Sequence, residues 1–221
     1  MLELIQPISK RDQVVKAMKE AILSGTIEPG AAVVESKIAQ QLGTGVPLIR
    51  EALIELEHQG FVQRTPYKGT TITKLSPTDV RRIFALRVEM EALAIEWAKE
   101  RMTESDVEDL RETIQKMRAA AEALDLPRFY EKDLAFHRKI WTLSGNPYLA
   151  DALERLVVPL FAFFLMKTSR QQASYVESAC MHEKIVEAIP VKDAVELRGM
   201  FRDSLVSWKD DMVVVLFSEE S

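Results

Sequence analysis

Between residues 76 and 221 only two glycines occur, Gly145 and Gly199, whereas five of the chain's 8 lie between residues 25 and 60 and Gly69 follows soon after. Glycine interrupts helices because it loses most backbone freedom on folding. The distribution therefore predicts a turn-rich N-terminal module over 1–75 and a module of long helices over 76–221. Charge divides the same way: residues 1–75 hold 9 Lys and Arg against 8 acids, while the remainder is acidic. With 47% apolar and 29% charged residues, the 221-residue chain has the make-up of a globular protein, not a disordered one. The longest apolar run, 156–166, is broken by Pro159 and is too short to span a bilayer. The lone Cys180 excludes an internal disulfide and fits a reducing compartment. Without an apolar segment at its N-terminus, the chain is expected in the cytoplasm, away from membranes.

In the first module, Ser9 can cap a helix with Val14, Val15, Met18, Ala21 and Ile22 on one face, stopped at Gly25. A short helix follows, with Ile38, Ala39 and Leu42 inward, then Gly43-Thr44-Gly45 and a third helix from Val46-Pro47. Ile49, Leu53 and Leu56 face inward on that helix, which ends near Gly60. Two short helices joined by a glycine-containing turn form a helix-turn-helix pattern. Residues 61–73 then read as strand, turn and strand, a hairpin wing with Lys68-Gly69 at its tip. The outer face of the third helix offers Leu48, Arg50, Glu51, Glu55 and His58, with Arg50 best placed to meet a base or phosphate. The alternative for Arg50 is a surface pair with Glu51 or Glu55.

Several stretches of this module resemble the GntR-family winged helix: 22–30, Glu35-Ser36-Lys37-Ile38-Ala39-Gln40-Gln41-Leu42-Gly43, Ile49-Arg50-Glu51-Ala52-Leu53, and 56–62. The resemblance covers nearly all of 10–73 and implies binding of double-stranded DNA at an inverted-repeat operator by a homodimer. The DNA-facing set it implies is Lys37, Thr44, Pro47, Leu48, Arg50 and Glu51, joined by Arg64, Lys68 and Gly69 of the wing. One departure stands out. The family usually carries Arg or another polar residue where this chain has Val46.

The second module opens with Ser76-Pro77-Thr78-Asp79, a helix start. Ile83, Leu86, Val88, Met90, Leu93, Ala94 and Trp97 give that helix, running to about 100, a broad apolar face. Further starts at Thr103, Leu126-Pro127 and Asn146-Pro147, with two more helices near 170–189 and 192–216, predict an all-α bundle of six to seven helices. The fold class is mainly α: a winged helix-turn-helix followed by this bundle. Nucleotide-binding glycine loops, nucleophile elbows and Cys-x-x-Cys pairs are missing from the sequence.

Asp133 and His137 lie four apart on one helix face, and His182 is one of only 3 histidines in the chain. Spacing alone leaves two readings open: oxygen and nitrogen ligands for a divalent metal, or an i,i+4 pair with His182 on the surface. The segments 86–91, 133–137, 144–146 and 182–189 with Asp193 resemble the FCD effector domain of the FadR subfamily. That resemblance implies a metal site, holding Zn, Ni or Mn, built on Asp133, His137 and His182. Ser204 stands at the position of the family's fourth ligand, which water, an effector carboxylate or Asp203 could replace. It also implies a small organic acid as effector, with Arg87 and Asn146 as candidate donors. For Arg87, a salt bridge to Glu91 is the competing reading.

The expected function is therefore a DNA-binding transcriptional regulator, a repressor and not an enzyme, with effector control in the 76–221 bundle. Two alternatives are kept. One is a metal-dependent hydrolase or lyase using Asp133, His137 and His182, with Glu183 as a nearby base. The other is a helical adaptor whose winged helix binds protein.

Overall fold

The computed structural model describes residues 9–67, 69–169 and 175–217, with backbone alone at 209–211. It divides into two compact units, 1–74 and 75–221. In the first, α1 (Lys10–Leu23), α2 (Glu35–Gln41) and α3 (Val46–His58) pack with β1 (Ala32–Val33), β2 (Val62–Thr65) and β3 (Gly69–Ile72). Ser9 caps α1 by accepting from the Asp12 amide at 3.1 Å. Gly25 and Gly60, with φ of 78° and 76°, take the left-handed conformation that turns the chain out of α1 and α3. Ile22, Ile49, Ala52, Leu53 and Leu56 form the buried centre. The antiparallel sheet has the order β1-β3-β2, with Ala32 opposite Thr71 and Thr65 opposite Gly69. The expected hairpin is there, with a third edge strand that two residues were too few to announce. Leu42, expected inward, is the residue at the C-terminal cap of α2 and is 41% exposed, lining a surface groove with Val14.

The second unit contains α4 (Pro77–Lys99), α5 (Glu104–Glu122), α6 (Leu126–Leu143), α7 (Pro147–Thr168), α8 (Val176–Ala188) and α9 (Ala194–Phe217). Ser76 with Asp79 and Thr103 with Asp106 form reciprocal capping boxes, so α4 and α5 start where their sequences signal it. The helix expected near 170–189 is described only from Val176; residues 170–174 lie outside the described residues. The second half of α7 is buried almost all round, from Val157 through Met166 with only Pro159 half-buried, and it packs against α4, α6 and α9. Helix α4 packs against α6, α7 and α9, and α5 packs against α6 and α8.

The apolar pattern of α4 resolves into two stripes. Val80, Phe84, Val88, Ala92 and Ile95 face the bundle, and Arg87 and Glu91 are buried with them. Ile83, Leu86, Met90, Leu93 and Trp97 form the other stripe at spacings of three and four. None of these five is buried, and Leu86 is 55% exposed.

Candidate metal centre and nucleic-acid interface

Helix geometry places Asp133, His137 and Trp141 one turn apart on the inner face of α6, opposite Arg87 and Glu91 of α4. His182 enters from α8. Glu91, fully buried, organises the cluster. Its Oε1 accepts from Arg87 Nε at 2.6 Å. Its Oε2 accepts from Trp141 Nε1 at 3.1 Å and is in close contact with Nδ1 of His137. Burial alone would raise the Glu91 pKa, but the charges and hydrogen bonds of His137 and Arg87 outweigh it and hold the carboxyl at about 2. An ionised Glu91 can only accept, so Nδ1 of His137 carries a proton; burial alone would lower the pKa of this imidazole, but Glu91 and Asp133 outweigh it and raise it above the ordinary value. The Ser178 carbonyl, 2.7 Å from His182 Nδ1, likewise holds a proton on that nitrogen.

The two imidazole Nε2 atoms lie 3.4 Å apart. Asp133 Oδ1 lies 3.4 Å from the first and 3.2 Å from the second. That oxygen is buried and makes no hydrogen bond among the described residues. Burial pushes the Asp133 carboxyl upward, but the pull of His182 and His137 holds it well below the usual carboxylate range. Once both Nε2 atoms are free of protons, the three groups offer two nitrogens and one oxygen to a cation. Atoms about 2.0–2.1 Å from one tetrahedral ion lie roughly 3.3 Å apart, so the donor set fits a divalent metal in chemistry and spacing. Among the described residues, this trio is also the group whose ligand atoms all fall within 4.8 Å of one another.

The trio opens on a cavity of about 60 Å³ between α4, α6, α7, α8 and α9. Aromatic rings wall it: Phe84, Phe129, Tyr130, Phe161 and Phe164. Tyr175 stacks on Phe129 with centroids 5.2 Å apart, and its buried hydroxyl has no hydrogen-bond partner among the described residues. Ser204 lines the cavity, but its hydroxyl donates to the Phe201 carbonyl at 2.7 Å, leaving only lone pairs facing inward.

The structure separates the other expected residues. Arg87 reaches the cavity, but its charge is balanced by Glu91, and its Nη2 lies 3.1 Å from His137 Nε2. Its guanidinium also sits 4.9 Å from the centroid of the Phe161 ring. Asn146 is a correction. Its side chain caps α7, accepting from the Tyr148 and Leu149 amides, and it does not line the cavity. Asp203 is exposed on α9 and does not reach the cavity lining either. Glu183, the base required by the hydrolase alternative, is held by Arg118 at 2.9 and 3.1 Å, outside the cavity lining.

In the first unit, the outward face of α3 presents Pro47, Arg50 and Glu51, with Lys37 exposed on α2 and Thr44 half-buried in the turn. Leu48 turns into a groove shared with Val14 and Leu42 instead of facing out. Arg50 pairs with Glu35 at 2.7 Å, not with Glu51 or Glu55. Arg64 lies 3.4 Å from Glu57, and Gly69 opens β3 with φ of 86°. Lys68 lies outside the described residues.

Residues 10–72 match the gntR family of bacterial regulatory proteins, and residues 82–205 match the FCD domain. The chain belongs to the gntR family. Over 146 residues it is 28% identical to the HTH-type transcriptional regulator McbR of Escherichia coli, 66% of each chain. Over 151 residues it is 26% identical to the transcriptional repressor RspR of the same organism, covering 68% of this chain and 65% of RspR. These matches span just under two thirds of the length of either relative. The solved structure of McbR shares the fold, with a TM-score of 0.71 at 24% identity over 97% of this chain and 100% of that one. Among the described residues of this gntR-family chain, no helix is long and apolar enough to cross a membrane.

Sequence reasoning missed the organising part of Glu91 and the buried hydroxyl of Tyr175. For Glu91 the signal was available: it falls on the stripe of Phe84, Val88, Ala92 and Ile95, where a carboxylate needs a strong partner. Tyr175 carried no such signal, because it precedes α8 outside any periodic stretch.

Proposed function

We propose that this chain is a transcriptional repressor that binds duplex DNA as a homodimer and senses a small carboxylate through a metal-assisted cavity. The observation that carries the sensing half is the convergence of Asp133 Oδ1, His137 Nε2 and His182 Nε2 within 4.8 Å of one another, with Nδ1 of each imidazole held by an acceptor. A bound divalent ion supplies the positive charge that a carboxylate needs there, because Arg87 is already neutralised by Glu91. Glu91 and the Ser178 carbonyl orient the two imidazoles, and the aromatic walls exclude water. The Tyr175 hydroxyl, without a hydrogen-bond partner among the described residues, is left to donate to an effector oxygen.

Supporting the DNA half are the exposed first turns of α3 and the wing, the arrangement in which a second helix enters the major groove. One such unit covers one half-site, so an inverted repeat needs two. The half-exposed stripe Ile83, Leu86, Met90, Leu93 and Trp97 has the three-four spacing of a helix seam and supports α4 as the two-fold contact. Chain continuity from β3 into α4 gives the cavity a route to the DNA-binding unit. Coupling between sites is typically worth ~1–3 kcal/mol.

Selecting duplexes from a random pool, with and without added zinc and small carboxylates, tests both halves. An inverted repeat should be enriched, Arg50→Ala should weaken its binding, and His182→Ala should abolish the zinc and carboxylate response. Enrichment of a sequence without two-fold symmetry, or a His182→Ala protein that still binds zinc stoichiometrically and responds, would overturn the reading.

A further inference from the structure

The first turn of α3 contains no side chain able to form a hydrogen bond. It begins Val46-Pro47-Leu48, and Gly45 before it offers no side-chain cap. Leu48 turns into the groove beside α1, which leaves Val46 half-buried and Pro47 exposed at the outer end. Two turns further on, Ile54 is 45% exposed on an otherwise charged face. Arg50, the cation of this face, is drawn toward Glu35.

The N-terminal residues of such a helix are those that meet base edges. Most of what the major groove offers is hydrogen-bond donors and acceptors; thymine alone adds a methyl group, on C5. Against guanine O6 and N7, or cytosine N4, Val46 and Pro47 would displace water and return nothing. Against a thymine methyl they bury apolar surface on both sides.

We propose that Val46 and Pro47 read thymine through its C5 methyl group, so that the half-site carries T where a polar first turn would select a hydrogen-bonding edge. This rests on the DNA-binding reading above and names the base chemistry of that surface. Val46→Arg restores a side chain suited to guanine and moves the preference at that position from T to G.

The test uses the full chain and a duplex enriched from a random pool, with each thymine replaced singly by deoxyuridine. This keeps every hydrogen-bonding atom of the base and deletes the methyl. At one or two positions per half-site the replacement should weaken wild-type binding about fourfold, the value of one buried methyl-sized group. In Val46→Ala the penalty at one of those positions should disappear, while the salt dependence of binding stays the same. A wild-type protein that binds its enriched duplex but tolerates every deoxyuridine overturns the proposal. So does a penalty that is the same in wild type, Val46→Ala and Pro47→Ala. Failure to enrich any duplex is a different result and overturns the DNA-binding reading itself.

Discussion

Arg87 Nη2 lies 3.1 Å from Nε2 of His137, the nitrogen that faces Asp133 and His182 and that a metal would use. Arg87 must therefore release His137 before that nitrogen can coordinate, while its bond to Glu91 through Nε can persist. The ion pair and the ligand trio form one buried network, and changing any member is felt by the rest.

Glu91→Gln removes the carboxylate that holds the Nδ1 proton of His137 and leaves the Arg87 charge unbalanced. Zinc affinity, measured against a chromophoric chelator, should fall about 10–100-fold, and the folded state should lose stability. Wild-type zinc affinity in the variant would show that Glu91 does not orient the ligand.

Tyr175→Phe deletes a buried hydroxyl that has no partner among the described residues. An unsatisfied buried group costs about 1–3 kcal/mol, so the effector-free variant should be as stable as wild type or more stable by roughly 1 kcal/mol in urea unfolding. A clear loss of stability would mean that the hydroxyl is already bonded in the folded protein.

Leu86→Glu places a charge on the outer α4 stripe, at a side chain exposed enough that the fold of one chain should not notice. Light scattering should then report a species of 25.1 kDa in place of twice that mass. A variant that keeps the dimer mass at micromolar concentration would move the two-fold contact elsewhere.

Asp106 receives hydrogen bonds from Lys139 and from the Thr103 cap, which together hold its pKa at about 2, below the ordinary 3.8. A depressed folded-state value contributes stability above the unfolded pKa and loses it as pH falls toward the folded one. The contribution should therefore be complete above about pH 4 and fade between there and pH 2. Carboxyl NMR titration should place the Asp106 midpoint near 2, and Lys139→Ala should move it upward. An Asp106 midpoint at the ordinary value would contradict the pairing.

Local chemistry made much of this architecture legible. Ser9, Ser76, Thr103 and Asn146 each cap the helix their position announces, because a cap acts within three residues of itself. Asp133 and His137 share a face for the same reason of helix period. What pattern alone could not settle was which of two partners a side chain takes. Arg87 chose Glu91 and His137 over an open effector position, Arg50 chose Glu35 across fifteen residues, and Asn146 spent its oxygen on backbone amides. The α4 stripes looked like one apolar face because both are apolar, and only packing against α6, α7 and α9 shows which one the bundle uses.

The cavity beside the ligand trio measures about 60 Å³, and its walls are mostly aromatic and aliphatic, with the polar groups confined to a few side chains. Under the sensing proposal, a bound acid meets polar partners at few points and rings elsewhere. Acids that share a carboxylate are then told apart by the apolar remainder that Phe84, Phe129, Phe161 and Phe164 admit.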